Sequence, residues 1–195
     1  MITFHVYPTQ LLNAEGELLV STFFSDLIPL RGDASWIDWR LNGQVSQLLL
    51  AGKPQGHFGE AILLPSRGKL NCPKVLLMGL GDSSEVSSEK IVEIFSRIIE
   101  VASKMQVKKL VTGVFGREVI SVDYEQAVTD MIDGLLAGFH RLYSNNHHLI
   151  LTLVEEEKRQ FVALLKGVRF SIDSFNYRFL AYRDKSYISG NRQES

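Results

Sequence analysis

The sequence predicts an α/β fold, a mixed β-sheet flanked by helices. Three observations predict it. The stretch from Gly59 to Gly81 holds two dense apolar runs, Ala61–Leu64 and Val75–Met78, closed by Pro65 and by Gly79-Leu80-Gly81. Neither run alternates apolar with polar residues, the pattern of strands covered on both faces. The connector between them, from Ser66 to Pro73, is too short for the crossover that parallel strands require, so the two are expected to be antiparallel neighbours. That pair makes the expected sheet mixed, not purely parallel, and after Gly81 the pattern changes to strand, helix, strand over the length of a βαβ unit.

In chain order, Ile2–Val6 reads as a short strand ended by Pro8, and Leu18–Phe24 as a better one, rich in β-branched and aromatic residues. Asn13-Ala14-Glu15-Gly16 is a turn, which suggests that these two strands form a hairpin. Asp33–Ala51 reads as one long helix: Ile37, Leu41, Val45 and Leu48 or Leu49 recur at helical spacing, with Trp36 on the same broad face. Gly43 interrupts it at about 1 kcal/mol relative to alanine, which a close helix contact would explain. Asp82 and Glu85 have the spacing of a capping box. A helix is expected to follow to about Met105, with an apolar stripe of Val86, Ile91, Ile94, Phe95, Ile98, Val101, Ala102 and Met105.

Leu110–Val114 is the next strand, 116–122 a connector, and Asp123 the cap of a helix running to about Tyr143. His147-His148 precede a strand over Leu149–Val154. Glu155–Lys166 reads as a last helix whose acidic start suits the helix dipole. Val168–Ile172 alternates and reads as an edge strand. Phe175–Tyr182 is aromatic and basic without a period. A single domain over 1–183 and a polar tail over 184–195 are expected.

The composition narrows the function classes. A chain of 195 residues buries roughly two thirds of its unfolded surface and needs no metal or disulfide to hold it. The net charge of -1 argues against a nucleic-acid partner, and the absence of any apolar run near ~20 residues argues against a membrane span. A lone cysteine, Cys72, suits a reducing compartment, and with no signal peptide in view a cytoplasmic protein is expected.

The segments PLRGDASWIDWRLNGQVSQLL and GKPQGHFGEAILLPSRGKLNCPKVLLMGLG resemble the amino-terminal domain of the leucyl aminopeptidase family, the M17 metallopeptidases. The likeness covers roughly Leu18–Lys166. It implies a macro-domain-like three-layer sandwich. In that family zinc and the catalytic lysine and arginine belong to a separate carboxy-terminal domain with the signature N-T-D-A-E-G-R-L, and no such run occurs here. The resemblance therefore implies the fold and, for these residues, no peptidase chemistry. The natural start at Met1 and the polar tail are expected of a complete chain. Family members form hexamers, whose usual core is the carboxy-terminal domain, so any homo-oligomer here would be built differently.

The residues themselves nominate no catalytic group, metal site or cofactor. There is no H-E-x-x-H or Cys/His ligand spacing, and Cys72 and Ser66 have no local base or nucleophile elbow. Glycines following strands carry the ligand expectation, because ligands of α/β sheets bind beyond the carboxyl ends of strands. Gly79, Gly81, Ser83 and Ser84 after one strand, and Gly113 and Gly116 after another, offer backbone amides to an anion, and the macro-domain resemblance implies ADP-ribose in such loops. His57, in the glycine-rich loop before a central strand, is the remaining ligand candidate. Asp82 opposes a phosphate at its own loop. Most of these glycines are also explained by turning the chain. Arg31 and Arg40 with Trp36 and Trp39 read mainly as core and rim of an amphipathic helix, otherwise as a subunit contact. Three functions are carried forward. The first is a non-catalytic binding or regulatory module with a protein partner, the second an ADP-ribose or nucleotide binder, and the third a non-catalytic part of an aminopeptidase assembly.

Overall fold

A computed structural model of the chain describes residues 2–114, 123–142, 148–173 and 178–181. Seven strands form one sheet: β1 (Ile2–Tyr7), β2 (Leu18–Phe23), β3 (Ala61–Pro65), β4 (Lys74–Gly79), β5 (Lys109–Gly113), β6 (Leu149–Val154) and β7 (Arg178–Ala181), in the order β3-β4-β2-β5-β6-β1-β7. Five α-helices flank it: α1 (Gly32–Arg40), α2 (Gln44–Leu50), α3 (Ser88–Lys104), α4 (Tyr124–Leu142) and α5 (Lys158–Asp173). Among the described residues only the β3–β4 pair is antiparallel, with Ala61 opposite Met78 and Leu64 opposite Val75, as the short connector requires. The other pairs are parallel, so the sheet is mixed.

The strands divide their side chains between two cores. On one face Leu18, Val20, Leu76, Met78, Leu110, Leu151 and Leu153 meet the apolar stripes of α3, α4 and α5. On the other Leu19, Phe23, Val75, Leu77 and Val111 meet Ile37 of α1, Leu41 just after it, and Val45 and Leu49 of α2. The central strands β2 and β4 contribute to both cores, which is why they read as unbroken apolar runs. The result is a three-layer α/β/α arrangement.

Several expectations are corrected. The β1–β2 hairpin does not form: β5 and β6 stand between the two strands, and β1 pairs in parallel with β6 and β7. β3 is an edge strand rather than an inner one, for Ile62 is buried while Leu63 is 49% exposed. The long helix is two helices. Gly43 adopts φ +74°, a left-handed conformation that favours glycine, and a β-carbon there would meet nothing within 4 Å, so backbone conformation rather than close packing selects it. The buried Asp38 carboxylate then caps α2, accepting from the Val45 amide at 2.7 Å and from the Ser46 amide at 3.1 Å. Trp36 leaves the core face and is exposed.

Asp82 caps a single 3₁₀ turn at Ser83–Glu85, and Ser87 caps α3 itself. The Asp123 cap stands, accepting from the amides of Glu125 and Gln126. The last helix begins later and runs further than expected. Glu155 and Glu156 precede it, Glu157 caps it through the Gln160 amide, and it continues through the stretch expected as an edge strand, with Val168 buried beside Phe161 and Leu164. The sheet edge is supplied instead by β7, inside the segment that showed no period. Tyr143, His147, the 116–122 connector and the 184–195 tail lie outside the described residues.

Candidate functional site

Strands β2, β5 and β6 are parallel neighbours, so their carboxyl ends open on the same edge of the sheet. Here the chain also reverses its direction of growth. From β2 it proceeds to β3 and β4 on one side; from β4 it crosses back past β2 to β5 and β6 on the other. Such a switch point leaves a crevice, because the loops leaving adjacent strands turn away to opposite faces. A cavity of about 370 Å³ occupies it. Its floor is Val20–Phe24 at the end of β2 and Thr112–Val114 at the end of β5; its walls are Leu27 and the Arg31–Asp33 entry to α1, with Trp36, and the β6–α5 loop and first turn of α5 with Glu156, Glu157 and Gln160.

Each wall is held in place. Glu155, buried at the end of β6, accepts from the Tyr124 hydroxyl at 2.8 Å and from the Glu157 amide at 3.0 Å, which fixes the loop that carries Glu156 and Glu157. On the other side the Ser35 hydroxyl donates to the Gly32 carbonyl at 2.7 Å and closes the first turn of α1. Asp33 stands over Gly113: a β-carbon built on Gly113 would lie 2.7 Å from the Asp33 Oδ2. Glycine at 113 thus leaves room for a carboxylate in the cleft. Trp36 is 59% exposed and offers a flat apolar rim. Among the described residues the cleft holds three carboxylates, one guanidinium from Arg31, and an aromatic wall. It suits a ligand that carries both hydrogen-bond donors and a planar ring.

Of the residues nominated from sequence, Gly113 lines this cleft. Gly116 lies outside the described residues. Gly79, Gly81, Ser83, Ser84 and His57 gather elsewhere, beyond the end of β4, and their donors are already engaged. The Gly79 amide donates to the Glu60 carbonyl at 2.8 Å and the Gly81 amide to the Gly56 carbonyl at 3.1 Å. A β-carbon on Gly79 would meet the His57 carbonyl oxygen at 2.4 Å, so this glycine admits the chain's own 56–60 loop. Ser83 gives its amide and hydroxyl to Asp26, which holds that carboxyl below its ordinary range, and Ser84 gives both to Asp82. The His57 ring bonds Gln55 at 2.9 Å and its amide bonds Glu60.

The residues that sequence reading missed are Asp33, Glu156, Glu157 and Gln160. Position signalled Glu156 and Glu157, which follow directly on the carboxyl end of β6, whereas Asp33 and Gln160 sit in the first turns of α1 and α5 and are brought to the cleft by the fold. Cys72 is buried and its thiol is pushed up to about 11, chiefly by burial, so it is no nucleophile at neutral pH. Among the described residues no group of three or more His, Cys, Asp or Glu side chains is placed to hold a metal ion, and no helix is long and apolar enough to cross a membrane.

The sequence pattern of the "Cytosol aminopeptidase family, N-terminal domain" matches residues 25–146. The chain belongs to the cytosol aminopeptidase family, through its N-terminal domain. A probable cytosol aminopeptidase of Sulfurihydrogenibium sp. (strain YO3AOP1) is 25% identical over 126 residues, which is 65% of this chain and 25% of that protein. The chain thus spans about a quarter of the length of the curated relatives it matches. Two solved structures share the fold. A variant of tomato leucine aminopeptidase superposes with TM-score 0.62 at 14% identity, covering 86% of this chain and 35% of that one. A Trypanosoma brucei macrodomain in complex with ADP-ribose superposes with TM-score 0.68 at 13% identity, covering 84% of this chain and 68% of that one. The macro-like α/β architecture expected from the resemblance is therefore the fold of the chain.

Proposed function

We infer that this aminopeptidase-family domain is a non-catalytic binding module whose site is the cleft between β2, β5 and β6. The observation that carries the reading is the cleft's place at the switch point of the sheet, where α/β folds bind ligands, in a volume within the range of small-molecule sites. Asp33, Glu156 and Glu157 act as acceptors for amino and hydroxyl groups, Trp36 stacks on a ring, and Arg31 supplies positive charge. An adenine nucleotide of the ADP-ribose class supplies the amino and hydroxyl donors and the ring, with its diphosphate directed to Arg31 and away from the carboxylates. The macrodomain neighbour crystallised with ADP-ribose supports that choice of ligand.

Calorimetric titration with ADP-ribose and with ADP tests the reading. Micromolar binding, weakened at least tenfold by Trp36→Ala with the fold intact, is the expected result. No heat at millimolar ligand overturns the nucleotide assignment. A second reading, a non-catalytic part of an aminopeptidase assembly, is favoured by the family match to a domain that is a quarter of its relatives. Co-purification with a chain bearing the catalytic domain would support it.

A further inference from the structure

The free edge of the sheet at β3 carries its own docking geometry. Two backbone bonds fix which groups of β3 face outward. The Gly79 amide donates to the Glu60 carbonyl, and the Ser66 amide to the Pro73 carbonyl. Both pairs lie in the same antiparallel register as Ile62–Leu77 and Leu64–Val75. Hydrogen-bonded pairs alternate along such a ladder. Residues 60, 62, 64 and 66 therefore turn their backbone groups toward β4, and Ala61, Leu63 and Pro65 turn theirs away from it. The side chains of all three are exposed, with Leu63 at the centre. A shallow groove runs along the same edge, walled by Leu48, Ile62, Leu64 and the 52–57 loop.

We propose that β3 pairs antiparallel with β3 of a second copy of this chain, about a two-fold axis through Leu63, joining the two sheets edge to edge. In this register every outward donor finds an outward acceptor. Each Leu63 amide donates to the other copy's Leu63 carbonyl, and each Ala61 amide to the other copy's Pro65 carbonyl. Proline, which has no amide to donate, stands where the pairing asks only for a carbonyl. Charge sets the direction. The amino end of β3 carries Glu60, and the carboxyl end carries the exposed Arg67, Lys69 and Lys74. Antiparallel pairing sets Glu60 of one copy opposite Ser66 and beside Arg67 of the other, whereas parallel pairing would set the basic ends against each other. The Leu63 side chains meet across the axis, and Leu64 of each copy covers Ile62 of the other on the groove side. A two-fold interface of this kind is closed, so it stops at a dimer.

Sedimentation of the full chain from about 10 μM to about 1 mM tests the proposal, a range chosen because an edge-strand contact is small against a standard interface. The mass is expected to rise from the 22.0 kDa of one chain toward twice that value. Leu63→Lys, an exposed change that places like charges across the axis, should hold the protein at monomer mass with an unchanged melting curve. Leu63→Cys should form a disulfide-linked dimer on mild oxidation, because a hydrogen-bonded antiparallel pair brings the Cα atoms to about 5.5 Å; the buried Cys72 does not compete. A chain that stays monomeric at about 1 mM without Leu63→Cys cross-linking overturns the proposal, and leaves the edge to an extended segment of another protein. A dimer unchanged by Leu63→Lys overturns it as well, by placing the contact elsewhere.

Discussion

Two glycine-bearing loops follow parallel strands at the same edge of this sheet, and they have opposite fates. After β4, Gly79 and Gly81 are filled by the chain itself: the 56–60 loop lies against them and takes their amides. After β5, Gly113 faces a cleft, with the end of an aspartate side chain at 2.7 Å from a built β-carbon and the nearest backbone atom, the Val154 carbonyl oxygen, at 3.9 Å. A glycine at a strand end signals that something approaches the backbone closely. It does not say whether that is a ligand or the protein. Near β4 a single carboxylate decides the matter, since Glu60 accepts from the amides of Gln55, Gly56 and His57 at 2.9, 2.8 and 3.1 Å and shapes the loop that closes the site.

Paired substitutions break this comparison most sharply. Gly79→Val drives a side chain into backbone and should cost about 3 kcal/mol of stability by overpacking, read as a shift in urea midpoint. Gly113→Val meets only a movable side chain and should cost about 1 kcal/mol, while abolishing ligand binding in calorimetry. Equal stability losses would mean that both loops are equally closed. Next in size, Asp38→Ala removes the α2 cap and should cost about 1–2 kcal/mol without altering the affinity of the cleft, which tests whether the α1–α2 break is merely architectural.

A third test uses pH. Burial raises the Cys72 thiol to about 11 in the folded chain, whereas an unfolded cysteine titrates near ~8.5. The folded state thus holds its proton where the unfolded state loses it, so this group's contribution to stability falls as pH rises above the unfolded value, through the window up to about 11. Native protein at pH 8 should resist a disulfide thiol reagent that labels the unfolded chain at once. The smallest effect is expected at the exposed Asp26. Ser83→Ala removes the hydrogen bond from the serine hydroxyl that most depresses its carboxyl, and an NMR titration should show its midpoint moving up toward the ordinary value.

Much of the fold was legible because local rules decide it. Leu149–Val154 is a strand over the expected residues, Ile91, Ile94, Phe95, Ile98 and Ala102 of the expected α3 stripe are buried, and the antiparallel β3–β4 pair follows from connector length. The failures arise where partners distant in sequence decide. A turn at 13–16 does not reveal that β5 and β6 separate β1 from β2. Ala61–Leu64 reads as doubly covered, yet Leu63 is about half exposed. Val168 continues the face of Phe161 and Leu164, although the helix is expected to end at Lys166; Gly167 is small there because Val128 of α4 packs against it. The site was half legible for the same reason. Gly113 is named by the rule of strand ends, whereas the closing of Gly79 rests on Gly56 and His57, more than twenty residues earlier.

An amide NMR titration of the full chain with ADP-ribose tests the central claim most directly, because it reports every loop at once. The account predicts shifts at Thr22–Phe24, Asp33, Trp36, Gly113 and Glu156, with Gly79, Gly81, Ser83, Ser84 and His57 still. Shifts gathered at Gly79–Ser84 and absent from Gly113 would contradict it.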